Sequence, residues 1–178
     1  MSLFAEALGP DWDALPHSLK TFHAGPATHF SGEAVVNGGA TALARAFARF
    51  FGFPPPGARV PVSIHVERTE KGERWHRDFG GHAMSTLLTA AGPSAVAERV
   101  GPARFTLSLT PENGGLSVGV AAGWIAGFPL PRALLPVSRS CESEASGRFT
   151  FDIDVHLPLI GRMVRYRGWL EPCETASG

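Results

Sequence analysis

Hydrophobic and polar residues alternate along two neighbouring segments of the chain, 62–68 and 73–79. A period of two residues is typical of a β-strand with one buried face. When Arg68 is set opposite Glu73, the two segments form a hairpin with an apolar face and a polar face, and such cross-strand neighbours define a register. The predicted inner pairs are Val66 with Trp75, Ile64 with Arg77 and Val62 with Phe79, and the outer pairs are Glu67 with Arg74, His65 with His76 and Ser63 with Asp78.

A second hairpin is predicted around the turn 111–114, because apolar residues alternate on both sides of it. Its expected inner pairs are Leu109 with Leu116, Leu107 with Val118 and Phe105 with Val120.

The last three strands are predicted over 137–143, 148–157 and 162–170. In the final hairpin, a slip of one residue would turn Arg165 and Arg167 onto the apolar face, so the other register is favoured. That register pairs Val155 with Val164, Ile153 with Tyr166 and Phe149 with Leu170 inside, and Asp154 with Arg165 and Asp152 with Arg167 outside. Setting Ser143 against Arg148 in the preceding hairpin places Arg139 beside Asp152, and turns Ser138, Ser140 and Glu142 inward beside Ile153, Phe151 and Phe149.

The remaining elements complete a mainly β (α+β) fold. Strands are expected over 29–37 and 83–89, and a helix over 41–51 begins at Thr41, a good N-cap residue. The helix either packs on the sheet, or touches a membrane or gates a pocket mouth. About eight or nine antiparallel strands in meander order favour a curved sheet or barrel, because closure removes exposed strand edges. The helix and the N-terminal turns are expected to cover an opening of this barrel.

The chain is predicted to be a single domain, 1–178. It comprises N-terminal helical turns (1–28), the sheet or barrel with its helix (29–171) and a frayed tail (172–178). Net charge is +0, with 16 basic and 16 acidic residues, so composition does not favour nucleic acid or a membrane surface, and no stretch reads as a membrane span. Two cysteines, Cys141 and Cys173, have no CxxC spacing, and no signal peptide is evident, so a cytoplasmic protein without disulfides is the simplest interpretation.

A few polar residues fall on the predicted inner face and indicate an interior pocket. The candidate ligand-binding residues are Trp75, Arg77, Ser138, Ser140, Glu142 and Tyr166. An unpaired buried guanidinium is costly, so Arg77 needs a partner. Either it forms an internal ion pair with Glu73 or Glu142, or it anchors the carboxylate or phosphate of a ligand. Glu142 as a general acid or base is a third alternative.

No catalytic, cofactor-binding or metal-binding motif stands out in the sequence. It lacks a Walker loop, a GxGxxG after a strand and HExxH. His65 and His76 are predicted neighbours on the outer face with Asp78 nearby, but a third metal ligand at a suitable distance is not evident. No catalytic residue, cofactor or metal is therefore assigned.

Several segments resemble a bacterial family known as domain of unknown function 4166. The matching segments are Gly32–Val36, Glu73–Gly81, Gly101–Phe105, Gly127–Pro131 and Tyr166–Leu170. In that family the domain stands alone or is attached to a saccharopine-dehydrogenase-like NAD(P) reductase. The resemblance implies a companion of redox or lipid-type metabolism and carries over no catalytic residue.

Three functional hypotheses follow. The first is a binding protein that holds a small, largely apolar or amphipathic molecule with an acidic head group in a barrel-like pocket. The second is an enzyme, or an accessory domain of an NAD(P)-linked reductase, acting on such a molecule. The third is an interaction module that docks a reductase. A cavity favours the first two, and a filled core with an exposed apolar patch favours the third.

Overall fold

The computed structural model describes residues 2–173 and forms a closed antiparallel barrel of ten strands, with one further strand appended. Along the sheet, β6, β5, β4, β3, β2, β1, β11, β10, β9 and β7 follow one another, and pairing of β6 with β7 closes the barrel. The strands are β1 (His29–Gly38), β2 (Gly57–Thr69), β3 (Gly72–Phe79), β4 (His82–Ala90), β5 (Ala95–Val100), β6 (Ala103–Glu112), β7 (Gly115–Ile125), β8 (Phe128–Pro129), β9 (Val137–Ala145), β10 (Arg148–Leu157) and β11 (Gly161–Pro172).

The predicted antiparallel barrel is confirmed, with slightly more strands than expected. The prediction omitted β5 and the two-residue β8. Three α-helices and two short 3₁₀ helices complete the described chain: α1 (Leu3–Leu8), α2 (His17–Ala24), α3 (Ala42–Phe50), and 3₁₀ helices over Gly9–Ala14 and Arg132–Leu134. The predicted tail over 172–178 lies outside the described residues from position 174 onward, and β11 extends to Pro172.

The first and last predicted hairpins have the expected registers. All of the pairs proposed between β2 and β3 occur, and so do the five proposed between β10 and β11. The outer-face carboxylates nevertheless bind arginines diagonally instead of directly opposite. Arg165 donates to Asp152 at 2.8 and 2.6 Å, and Arg162 donates to Asp154 at 2.8 and 2.9 Å.

Two predicted registers are wrong by two residues, and beyond the β-bulge between Thr106 and Leu107 the first is wrong by three, since Phe105 lies opposite Gly123 instead of Val120. Leu109 lies opposite Val118 instead of Leu116, and Ser140 lies opposite Ile153 instead of Phe151, which puts Arg139 opposite Asp154 instead of Asp152. A shift of two leaves every side chain on its predicted face, so alternation could not reveal the error. Both hairpins have two-residue turns with positive φ at both positions, which are Asn113 and Gly114 in one hairpin and Ser146 and Gly147 in the other. Such turns are typical of type I′ hairpins and shorten the loops that had been predicted.

The two ends of the barrel are covered differently. Ser2 caps α1, and α1 and α2 bury apolar side chains against one end. The other end carries α3, whose Thr41 side chain accepts a hydrogen bond from the Ala44 amide as an N-cap should. Within α3 only Ala44 is buried and the helix contacts β11, so the predicted packing on the sheet occurs, but over a small area.

Glycines allow β1 and β11 to approach each other closely. A Cβ atom on Gly32 would lie 1.8 Å from the Trp169 carbonyl oxygen, and one on Gly168 would lie 2.1 Å from the Glu33 carbonyl oxygen. Real Cβ atoms do not approach backbone this closely, so a side chain at either position would push the strands apart.

Gly168→Ala is therefore expected to lower the free energy of unfolding by about 1–3 kcal/mol, as overpacked sites do. Gly119→Ala is the matched control, because its Cβ would meet only the movable Ser108 hydroxyl, at 3.1 Å. Urea denaturation of both variants measures the difference. Equal midpoints would contradict the close-approach explanation.

Acid should weaken the barrel through Asp154. Burial raises the pKa of this carboxyl, but hydrogen bonds from Arg162 and His156 outweigh it and hold the pKa below its usual 3.8. The resulting stability is fully present above that unfolded-state value and is lost as pH falls through the lower folded-state pKa.

Asp154→Asn should accordingly reduce stability by roughly 1 kcal/mol at pH 7, since Arg162 is partly exposed, and should flatten the loss of stability below pH 4. Urea unfolding between pH 2 and 7 tests this expectation. Asp152→Asn is the control. Its side chain is 39% exposed, against 12% for Asp154, so its effect at pH 7 should be smaller.

Candidate functional site: the barrel interior

The barrel encloses a cavity of about 190 Å³. This is far more than the roughly 10–15 Å³ that one water needs by the same kind of measure. Most of its wall is aliphatic and aromatic. At one end buried Phe4 and Phe22 from the N-terminal helices close it, and at the other half-buried Phe51, Phe53 and Leu157 line it. The cavity therefore has its mouth at the end that carries α3.

All six residues predicted to bind a ligand line this cavity, because alternation turns each of them inward. They come from three strands: Trp75 and Arg77 from β3, Ser138, Ser140 and Glu142 from β9, and Tyr166 from β11. The shift of two residues between β9 and β10 does not remove any of them from the wall. Their role in binding remains a prediction.

Arg77 lines the cavity and interacts with three neighbouring side chains. It donates to the Thr86 hydroxyl at 2.9 Å, its guanidinium carbon lies 4.9 Å from the centre of the Trp75 ring, and one terminal nitrogen is 3.6 Å from a Glu98 carboxylate oxygen. The last separation is an ion pair without a hydrogen bond. Since a guanidinium has five N–H donors, Arg77 keeps donors for another group.

The partners expected for Arg77 were wrong. Glu73 instead accepts a hydrogen bond from the Trp75 indole at 3.1 Å and lies 3.7 Å from Arg68. Glu142 instead pairs with His23.

Glu98 and Thr86 were not identified from the sequence as site residues. Glu98 was missed because β5 was not recognised as a strand, although Val96, Glu98 and Val100 alternate between two Gly-Pro pairs, at 92–93 and 101–102. That alternation was the available signal. Thr86 gave none, since a threonine on a strand is ordinary.

A buried His–Glu pair stands at the closed end. His23 Nε2 lies 2.6 Å from a Glu142 carboxylate oxygen, and His23 is 0% exposed. The imidazole is packed among aromatic rings, with the Phe4 ring centre at 3.8 Å. Its Nδ1 has no hydrogen-bond partner among the described residues. The pair spans 119 positions in sequence, so no local pattern could predict it.

The remaining polar groups lie along the same wall. The Ser138 and Ser140 hydroxyls are hydrogen-bonded to each other at 2.6 Å. Burial raises the pKa of Tyr166 to about 12, a shift that the positive charge of Arg77 reduces and the negative charge of Glu98 increases. Tyr166 therefore stays neutral at physiological pH and can donate a hydrogen bond to a ligand.

The outer histidines form a stack. The ring centres of His65 and His29 are 4.1 Å apart, and those of His65 and His76 are 5.9 Å apart. Within residues 2–173 no group of three or more His, Cys, Asp or Glu side chains is arranged to hold a metal ion. Both cysteines, Cys141 and Cys173, are free.

Fold and site together define a small closed β-barrel with a largely apolar interior cavity, whose wall includes Glu142 hydrogen-bonded to the buried His23. The chain belongs to the family described as domain of unknown function (DUF4166), whose model matches residues 15–170. No match was found among curated proteins. In the described part of the chain, no helix combines the length and apolar character needed to cross a membrane.

A crystal structure has a similar fold. It is that of a protein of unknown function from the DUF3598 family of Nostoc punctiforme PCC 73102, and it superposes with a TM-score of 0.51 at 12% sequence identity. The match covers 83% of this chain and 48% of that one, so this chain spans about half the length of the solved structure. At this identity the likeness concerns the fold alone.

Breaking the buried pair should destabilise the closed end. Glu142→Leu would leave both His23 ring nitrogens without a partner and should cost about 1–3 kcal/mol of unfolding free energy. Combining it with His23→Phe replaces the pair with apolar groups and should recover part of that loss. Urea denaturation of the two single variants and the double variant gives the coupling energy, and strictly additive effects would contradict the pair.

Proposed function

We propose that this protein binds one small, largely apolar molecule inside the barrel and holds its acidic head group at Arg77. The observation that supports this proposal is a cationic side chain with free donors on the wall of a largely apolar cavity. An apolar body gains roughly 25 cal/mol per Å² of surface removed from water. A hydrogen bond from the guanidinium to a charged head group would orient the ligand and make binding specific for acids.

The polarity of the wall supports an amphipathic ligand instead of a pure hydrocarbon. Among the described residues that line the cavity, Arg77 is the one with a cationic side chain. Tyr166 and the two hydroxyls of Ser138 and Ser140 offer further hydrogen bonds on the same wall. These groups would be poorly used by a ligand without polar atoms.

Glu98 sets the affinity for an acid. At 3.6 Å it neutralises Arg77 when the cavity holds no acid, and it would compete with an incoming carboxylate. This arrangement predicts moderate affinity that increases when Glu98 loses its charge.

An enzyme acting on such a molecule is the second candidate. It is favoured by Glu142, a carboxylate that lines the cavity and is hydrogen-bonded to His23 at 2.6 Å, the geometry of a proton-transfer pair. An accessory role beside an NAD(P)-linked reductase, which the family resemblance implies, would place this chemistry on a partner.

Decanoic acid and 1-decanol are suitable probes, since they share a chain and differ in the head group. Arg77→Met should weaken the binding of decanoic acid by about 1.5–3 kcal/mol, the range for a hydrogen bond to a charged group. The affinity for decanol should be nearly unchanged. Glu98→Gln should strengthen the binding of decanoic acid. Isothermal titration calorimetry measures both effects.

Arg77→Met leaves Glu98 without its cation, so Arg77→Met combined with Glu98→Gln serves as the variant with a neutral pair. Val118→Phe is the control for location, because a ring added to the cavity wall should exclude either probe. If Arg77 serves only as an internal ion-pair partner, Arg77→Met will change stability and leave decanoic acid binding unchanged. That result would refute the role of Arg77.

A further inference from the structure

The mouth of the barrel is surrounded by five connecting segments, which we call the rim. In an up-and-down barrel, alternate connections lie at the same end. The rim therefore contains the segment with α3, the β3–β4, β5–β6 and β10–β11 turns, and the connection from β7 through β8 to β9. With the strand ends that flank them included, these are residues 38–61, 78–83, 100–103, 156–163 and 121–138.

Apolar exposure is concentrated on the rim. Every large hydrophobic residue that is exposed in the described part of the chain belongs to one of its segments. Phe50 on α3 is 73% exposed, Phe128 in β8 is 77% exposed and Leu159 is 100% exposed. These residues come from three separate segments, so the feature belongs to the whole rim.

Leu159 is placed against its own conformational preference. It has φ +66°, a region that favours Gly and Asn and that costs other residues free energy. Its side chain makes no contribution to the core because it is fully exposed. A fully exposed leucine in a strained turn does not serve folding, which points to contact with another molecule.

The charges of the rim are predominantly of one sign. Its five segments contain Arg45, Arg49, Arg59, Arg132 and Arg162 and a single acidic residue, Asp78, whose carboxylate accepts a hydrogen bond from the Gly81 amide at 2.8 Å. Arg59 and Arg162 bind carboxylates on the barrel wall, whereas Arg45 donates to the backbone carbonyls of Gly39 and Ala40.

The opposite end has the reverse character. Its helices and turns carry Glu6, Asp11, Asp13, Glu67, Glu70, Glu112 and Glu144 against fewer basic residues. A chain with net charge +0 therefore has a basic, apolar end and an acidic end.

We infer that the rim is a docking surface for an anionic lipid bilayer. Apolar side chains flanked by arginines are the combination that binds the interface of such a bilayer, where the side chains enter the acyl boundary and the cations meet lipid head groups. On α3, Leu43, Phe47 and Phe50 share one helical face and Arg45 and Arg49 lie on the other side. Docking in this orientation sets the cavity mouth against the lipid. The inference goes beyond the proposed function, because a rim can bind membrane whether or not the cavity takes a ligand.

Co-sedimentation with vesicles tests the inference. The full chain should bind vesicles of phosphatidylcholine containing phosphatidylglycerol, bind pure phosphatidylcholine far more weakly, and lose most binding when salt is raised from 0.05 to 0.5 M. Phe50→Ser and Leu159→Asn should each weaken binding several-fold. Leu159→Asn suits the positive φ, so the folded state should not suffer.

Charge reversal has a matched control. Arg49→Glu on the rim should reduce binding about tenfold, since each basic residue near the surface contributes strongly. Lys71→Glu, an exposed site at the opposite end, makes the same change of charge and should have little effect. Absence of vesicle binding by the folded protein, or equal losses for Arg49→Glu and Lys71→Glu, would overturn the inference.

A protein partner is distinguished by the same variants. If wild type is dimeric on size exclusion, does not bind vesicles, and becomes monomeric with Phe50→Ser, then the rim contacts a second copy and the lipid inference is wrong. Retained binding of decanoic acid in such a case would leave the proposed function intact. Loss of decanoic acid binding with retained vesicle binding would refute the proposed function alone.

Discussion

Closure of an alternating sheet is the constraint on which the rest of this molecule depends. Once β6 pairs with β7, every second residue of ten strands must face one enclosed space. A polar residue at an inward position then has little access to bulk water. It must find a partner inside, as Arg77, Glu98 and Glu142 do. The cavity wall follows from this geometry, because strand pairing alone decides which positions face inward.

The two ends of the barrel are covered to different extents. At the closed end, α1 and α2 fill the opening with Phe4 and Phe22, and the buried imidazole of His23 satisfies Glu142. At the mouth, α3 buries only Ala44 and leaves Phe50 in solvent. A helix with so little burial gains little stability from packing, because tertiary contacts supply most of a short helix's stability. This asymmetry gives the molecule one end suited to stability and one suited to contact.

Side-chain alternation distinguishes registers that differ by one residue but not registers that differ by two. One-residue errors were excluded by placing Arg165 and Arg167 on the outer face, and this face assignment held throughout. The registers between β6 and β7 and between β9 and β10 differ from the predicted ones by two residues. Only the length of the turn distinguishes such registers. Asn113-Gly114 is a strong signal for a two-residue hairpin turn. The strand β5 was short, and its omission concealed Glu98.

The sequence by itself determined the antiparallel barrel, the face on which each residue of the recognised strands lies, and the membership of the cavity wall from Trp75 to Tyr166. All of these follow from a period of two, which is a local property of the chain. Only the tertiary structure decided which polar side chains pair inside the barrel. Arg77 meets Glu98 across two strand boundaries, and His23 meets Glu142 across most of the chain. Such pairings depend on barrel closure and on the way the N-terminal helices enter the end, and no local periodicity carries that information.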